Sequence, residues 1–260
     1  MPDGLRLALT TYSVLPVHGP ARLDRRTAGR AMALGPLVGA LLVLPVGGVL
    51  ITARVLTPVS SAPLLACALA VTALALLTRG LHLDGLIDTT DALASYRPPE
   101  QARAVAKSPG AGALGVAALV LVVAVQVAAL LTCVQAGRGT GSLLTALVTA
   151  RFAVTLACTR TDAAVPTGLG ALVARTVRLP LAGAVGLVAL LLLMGYEALD
   201  DAGGSAAALR VLVAVTVGLG VARVLRRHAV RRLGGLTGDV LGALIEVTTA
   251  VVLVVMAGTL

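Results

Sequence analysis

The chain has 260 residues, of which 58% are hydrophobic and 13% charged, and its formal net charge is +9. Soluble domains carry about 25% charged residues, and no soluble fold of this length can hide so much apolar surface, so lipid must solvate part of it. Nucleic acid is excluded as the partner of the basic charge. The arginines are scattered among the gaps between apolar runs, and three tyrosines and one phenylalanine are the whole supply of aromatic rings for stacking.

In chain order, the first thirty residues carry Arg6, Arg22, Arg25, Arg26 and Arg30, with Pro16 and Pro20 and no continuous apolar core. They do not read as a cleavable signal peptide. Apolar runs of spanning length then follow at 33–53, 62–78, 113–134, 141–159, 180–196, 207–224 and 240–257. These predict an all-α integral membrane protein, a polytopic bundle of about seven transmembrane helices (range six to eight), forming one membrane-embedded domain over 1–260. Gly35-Pro-Leu-Val-Gly39 places small residues four apart in the first run, a spacing that lets membrane helices approach closely. Cys67, Cys133 and Cys158 sit singly inside apolar runs without metal-ligand spacing and read as buried hydrophobes.

Charge sets the expected orientation. With the N-terminus cytoplasmic, 17 of the 21 basic residues fall on the cytoplasmic side, and Arg54, Arg138 and Arg210 fall on the other, with an acidic loop of Glu197, Asp200 and Asp201. That split follows the positive-inside rule and accounts for the basic charge without an acidic partner. It also places the longest polar connection, 79–110, and the segment 226–239 on the cytoplasmic side.

Those two segments hold the acidic motifs. Asp84, Asp88 and Asp91 are spaced four and three apart, which puts three carboxylates on one face of a helix. Like charges so placed repel, and no lysine or arginine between 80 and 96 balances them. A hard divalent cation such as Mg²⁺, held by one or two carboxylates together with substrate phosphate oxygens, is the natural partner. Gly85 would allow close backbone approach beside Asp84. In the second motif, Gly234-Gly-Leu-Thr237-Gly238-Asp239-Val-Leu-Gly242-Ala-Leu-Ile-Glu246, Asp239 and Glu246 share a helix face two turns apart. Glu246 lies within an apolar run, where a carboxylate is costly and marks function. The glycines before Asp239 can offer backbone N–H groups to a phosphate at a helix N-terminus. Arg151 is the other intramembrane charge, a phosphate clamp or a carboxylate partner.

The stretch Gly80-Leu-His82-Leu-Asp84-Gly85-Leu-Ile-Asp88-Thr-Thr-Asp91 resembles the GxHLDGLADTxDG signature of the cobalamin synthase family, the adenosylcobinamide-GDP ribazoletransferases. Gly235-Leu-Thr237-Gly238-Asp239-Val-Leu-Gly242-Ala-Leu-Ile-Glu246 is similar to that family's late GxTGDxLGAxxE motif. Leu15-Pro16-Val17, Gly35-Pro-Leu-Val-Gly39 and Gly168-Leu-Gly170 add weaker matches in the same order along the chain. Three departures are visible. Ala104-Val-Ala-Lys107-Ser108-Pro109-Gly110 lacks the acidic residue of the usual MKDSRxG phrase, Val165 stands where an arginine usually precedes the Gly-Leu-Gly, and Ala92 replaces the glycine closing the first motif.

The resemblance implies a Mg²⁺-dependent transfer at the end of vitamin B12 assembly. α-Ribazole, or its 5′-phosphate, would be joined to adenosylcobinamide-GDP with release of GMP, at a site facing the cytoplasm of a prokaryotic cell membrane. It implies metal binding by Asp84, Asp88 and Asp239, and catalytic roles for Asp91, Glu246 and His82. Arg79, Gly85, Arg151, Thr237 and Gly238 would contact substrate. Two other readings use the same residue types. A CDP-alcohol phosphotransferase would need an Ala-Arg pair soon after Asp84-Gly85, and no arginine occurs until Arg97. A cation-coupled transporter would place its acids near mid-membrane, usually within an internal repeat.

Overall fold

The computed structural model describes residues 1–56, 62–200 and 204–258, which form twelve helices and one isolated β-bridge. Six helices are long and apolar enough to cross a bilayer: α3 (Gly35–Leu56), α7 (Ala113–Gln135), α8 (Gly139–Arg160), α10 (Leu179–Asp200), α11 (Ser205–Leu233) and α12 (Gly238–Ala257). The remaining apolar run is α4 (Ala62–Leu77), which has 16 residues and continues through an 87° bend into α5 (Leu81–Ala94). Sixteen residues reach about 24 Å against a hydrocarbon core of about 30 Å, so α4 needs the bent continuation to complete a crossing. All seven apolar runs are therefore helices, the second as half of a broken pair.

The bend has a local cause. Arg79 and Gly80 both take left-handed backbone angles, φ 57° and 64°, which ends α4 and redirects the chain. Glycine adopts that conformation freely, whereas an arginine there is strained. The Arg79 guanidinium offsets the strain by donating to Thr10 O of α1 (Asp3–Tyr12) at 3.1 Å. The 79–110 connection, expected as polar chain, is thus largely helical, through α5 and the short α6 (Pro99–Ala106).

At the centre stands α8, buried along most of its length and packed against α3, α10, α11 and α12. Gly39 lets α3 close on it: a Cβ there would lie 2.5 Å from Leu147 O. The small residues four apart do serve helix approach, as their spacing predicts. Around this core, α3, α7 and α10 present Leu44, Leu121, Leu187 and Leu192 outward, an apolar exterior suited to lipid. The three cysteines are buried and unpaired.

The spans alternate in direction, so the ends sort into two faces. One gathers α1, α2 (Arg25–Ala33), the 79–80 bend, α6, α9 (Gly168–Val173) and the α11–α12 junction, with the basic residues assigned to one side from sequence. The opposite face holds Arg138, whose guanidinium donates to Met256 O and Gly258 O. There the expected acidic loop needs correction. Glu197 lies in α10, is 2% exposed, and pairs with the equally buried Arg210 of α11 at 3.8 Å. Asp201 lies outside the described residues.

Candidate active site

The two acidic motifs meet where α5 crosses α12. The crossing is glycine on glycine. A Cβ on Gly85 would stand 2.8 Å from Asp239 O and 3.2 Å from Gly242 Cα, and one on Gly242 would stand 3.1 Å from His82 O. Side chains at either position would hold the helices apart, so this contact sets the distance between the Asp84–Asp88 face and Asp239. The start of α12 is fixed independently. Thr237 caps it, its hydroxyl accepting from Val240 N at 3.2 Å. The preceding loop is pinned to the α8–α9 connection by Leu236 N donating to Asp162 O at 2.8 Å and Ala164 N donating to Leu236 O at 3.1 Å. At Gly235 the backbone passes so close to Ala163 and Ala164 that no side chain fits. The glycines of the second motif therefore shape a loop that aims Asp239.

The result is a cluster of four carboxylates. Asp88 lies within electrostatic range of Asp84, Asp239 and Asp91, and Asp239 within range of Asp84 and Lys107. Asp84 is exposed and Asp88 and Asp239 are half-buried, so the cluster opens to solvent at one side. Neither Asp84 nor Asp88 accepts a hydrogen bond or an ion pair from the described residues.

Asp91 stands apart from the other two on its face. Its carboxylate accepts Gly112 N at 2.7 Å and Gly115 N at 2.8 Å. That binds α5 to the N-terminus of α7, where free N–H groups and the helix dipole favour an anion. Such a carboxylate is a tether rather than a free base, which alters the catalytic role implied for it.

Beneath the cluster lies a buried charged network. Glu246, 6% exposed, accepts Gln126 Nε2 at 2.8 Å, and the same amide reaches Glu246 O at 3.2 Å. His82 lies on the buried side of α5, its Nδ1 4.0 Å from Glu246 Oε1 and without a hydrogen-bond partner, its ring 6.2 Å from that of Tyr12. Arg151 is 1% exposed and interacts electrostatically with Glu246 and Tyr12. Its guanidinium donates to Leu147 O at 3.5 Å and lies off the wall of the cavity described below. Burial raises the Tyr12 phenol far above its ordinary range, so it stays protonated, its hydroxyl against Met32 Sδ at 3.4 Å.

Beside Asp239 a cavity of about 340 Å³ opens between α5, α6, α8, α9 and α12. His82, Thr237, Gly238 and Asp239 line it, as do Gly168 and Gly170. Arg79 does not; its guanidinium is taken by Thr10. Gly85 acts in the helix crossing and also lies off the cavity wall. The cations that do line it are Arg103 and Lys107, neither singled out by the sequence. Arg103 also donates to Leu233 O, fastening α6 to the end of α11. Gln126 was likewise missed, although an amide inside an apolar run is a signal in its own right.

Among the described residues, no three His, Cys, Asp or Glu side chains gather closely enough to enclose a metal ion. Mg²⁺ needs no such cage, since it takes one or two carboxylates and completes its shell with water and phosphate oxygens. Asp84 and Asp88, which take no hydrogen bond or ion pair among the described residues, and Asp239 beside them are carboxylates of that kind.

A profile described as cobalamin-5-phosphate synthase matches residues 4–257. Among curated relatives, an adenosylcobinamide-GDP ribazoletransferase of Frankia casuarinae is 46% identical over 98% of this chain and 94% of its own length. Proteins of the same description from Nocardioides sp. and Stutzerimonas stutzeri are 42% and 34% identical, covering 99% and 97% of both chains. No solved structure matches.

Proposed function

The chain belongs to the cobalamin-5-phosphate synthase family, and on that premise we propose how its acidic cluster carries out the reaction. Its activity is that of an adenosylcobinamide-GDP ribazoletransferase, which closes cobalamin biosynthesis. The observation that carries the proposal is the Gly85–Gly242 crossing, which sets Asp84 and Asp88 beside Asp239 at a cavity bearing Arg103 and Lys107.

Asp84, Asp88 and Asp239 are the carboxylates from which one or two would hold Mg²⁺ beside the diphosphate of adenosylcobinamide-GDP, the rest of its shell coming from water and phosphate oxygens. The ion, when bound, neutralises charge that develops on the phosphoryl oxygens. Arg103 of α6 and Lys107 of the turn after it flank the same diphosphate. A 340 Å³ cavity suits a nucleotide-sized group rather than a corrin ring, so it receives the ribazole and phosphate part while the ring stays outside. A ribose hydroxyl that is free both in α-ribazole and in its 5′-phosphate attacks the phosphorus on the cobinamide side, its oxygen forming the new P–O bond. The bond from that phosphorus to the GMP oxygen breaks, and GMP leaves.

His82 takes the proton of the attacking hydroxyl at Nε2, the ring nitrogen farther from Glu246. Glu246, held by Gln126, stands 4.0 Å from the other ring nitrogen. Asp91 positions α5 on α7. By the positive-inside rule the face with the acidic cluster is the cytoplasmic one.

The test is product formation by purified protein in detergent with adenosylcobinamide-GDP and α-ribazole. GMP and a cobalamin product should appear together, stop with a chelator and resume with Mg²⁺. CMP release from CDP-alcohols, with no turnover of adenosylcobinamide-GDP, would contradict the proposal.

A further inference from the structure

On the far side of α8 from the catalytic cavity lies a second recess, about 370 Å³, between α8, α10 and α11. Helical periodicity separates the two: Val154 faces the catalytic cavity, whereas Leu156 lies on the opposite side of the helix and Ala153 and Arg160 on its flank. The inner wall of the recess is apolar, with Leu156, Leu179 and Leu219, and its mouth carries Arg160, Arg223 and Arg226. Nothing fills the space over Gly220, where an added Cβ would meet no atom within 4 Å.

The arginines are placed at one depth by helix length. With 29 residues α11 is about 43 Å long, against a hydrocarbon core of about 30 Å, so its last turns emerge from the core. Arg223 and Arg226 lie where it leaves, and Arg160 ends α8 at the same face. Arg226 is braced by donating to Leu156 O at 3.3 Å and to Thr161 Oγ1 at 3.4 Å. Arg223 and Arg227 crowd it electrostatically, and none of the three arginines at the mouth forms an ion pair with a carboxylate among the described residues. Repelling cations held at headgroup depth above an open apolar cleft call for an anion that carries a hydrocarbon chain.

We propose that this recess binds an anionic phospholipid, its phosphate among Arg160, Arg223 and Arg226 and an acyl chain along Leu219 and Gly220. Basic pockets between spans have this chemistry. The occupant is a bilayer lipid rather than a soluble phosphate because the cleft below the arginines is apolar and lies between the spanning helices α8, α10 and α11. The site shares no residue with the acidic cluster, so it stands whether or not the reaction is assigned correctly.

The test is native mass spectrometry of the full chain after reconstitution with mixed phosphatidylglycerol and phosphatidylcholine. Wild type should retain phosphatidylglycerol selectively. Arg223→Gln and Arg226→Gln should each weaken retention about fivefold, and the pair about thirtyfold. Gly220→Leu keeps every arginine but fills the cleft, and should also lose the lipid while leaving the melting temperature in detergent unchanged. Inorganic phosphate should not displace it. Equal retention of both lipids, retention unaffected in Gly220→Leu, or displacement by inorganic phosphate would each overturn the proposal.

Discussion

Replacing Gly85 with alanine tests whether the helix crossing sets the site. The new methyl would sit 2.8 Å from Asp239 O, 3.1 Å from Asp239 Cα and 3.2 Å from Gly242 Cα, all of them backbone atoms. Ordinary contact begins near 3.4 Å, so α5 and α12 must separate by about 0.6 Å or more, carrying Asp84 and Asp88 away from Asp239. Overpacking of this kind costs about 1–3 kcal/mol, offset in part by about 1 kcal/mol of helix propensity gained over glycine. The larger effect is on rate, because a misplacement near 1 Å costs about 10²-fold. GMP release and thermal melting should be followed in parallel for Gly85→Ala, Gly242→Ala and Gly48→Ala. Gly242 meets milder contacts, from 3.1 Å, and Gly48 none within 4 Å. Turnover should fall in that order, about 10- to 100-fold for Gly85→Ala and not at all for Gly48→Ala. Wild-type turnover in Gly85→Ala would refute the reasoning.

Three further outcomes follow from the same geometry. Gln126→Leu strips the hydrogen bond from a buried carboxylate and should lower stability by about 1–3 kcal/mol in a detergent melt, with Glu246→Gln in the same chain recovering part of it. Thr237→Ala removes the α12 cap and should cost about 1 kcal/mol by the same melt, while Thr237→Ser restores it. Asp24 caps α2 by accepting Thr27 N at 2.7 Å, a bond that holds its carboxyl below the usual range. Its stabilisation is therefore present above the unfolded value near about 3.9 and lost as pH falls through the lower folded value. Amide exchange in α2 should rise only in that acid window, and Asp24→Asn should move the window away.

The membrane architecture was legible because lipid imposes it: apolar runs of spanning length gave every span, and Gly35 and Gly39 gave a close helix contact. The acidic face of α5 was legible for a similar reason, since a 4–3 spacing is helical whatever the surroundings. Partners drawn from other helices were not. Asp91 shares the periodicity of Asp84 and Asp88, yet two backbone N–H groups of α7 capture it. Glu197 sits near the end of an apolar run and reads as a loop charge until Arg210 of the neighbouring helix comes opposite it. Lys107 and Arg103 fall in a segment that departs from the family phrase, and only the folding of α6 against the α11–α12 junction brings them to the cavity. Arg79 showed the converse: a cation beside the motif in sequence, spent on holding a left-handed bend.

The central claim is that Asp88 and Asp239, from separate motifs, serve one metal-dependent transfer. Turnover of adenosylcobinamide-GDP by Asp88→Asn and Asp239→Asn, titrated with Mg²⁺, tests it most directly. The account predicts that each variant melts like wild type, turns over at least about 10²-fold more slowly, and needs more Mg²⁺ to reach half its rate. Wild-type rates and an unchanged Mg²⁺ requirement in both variants would contradict it.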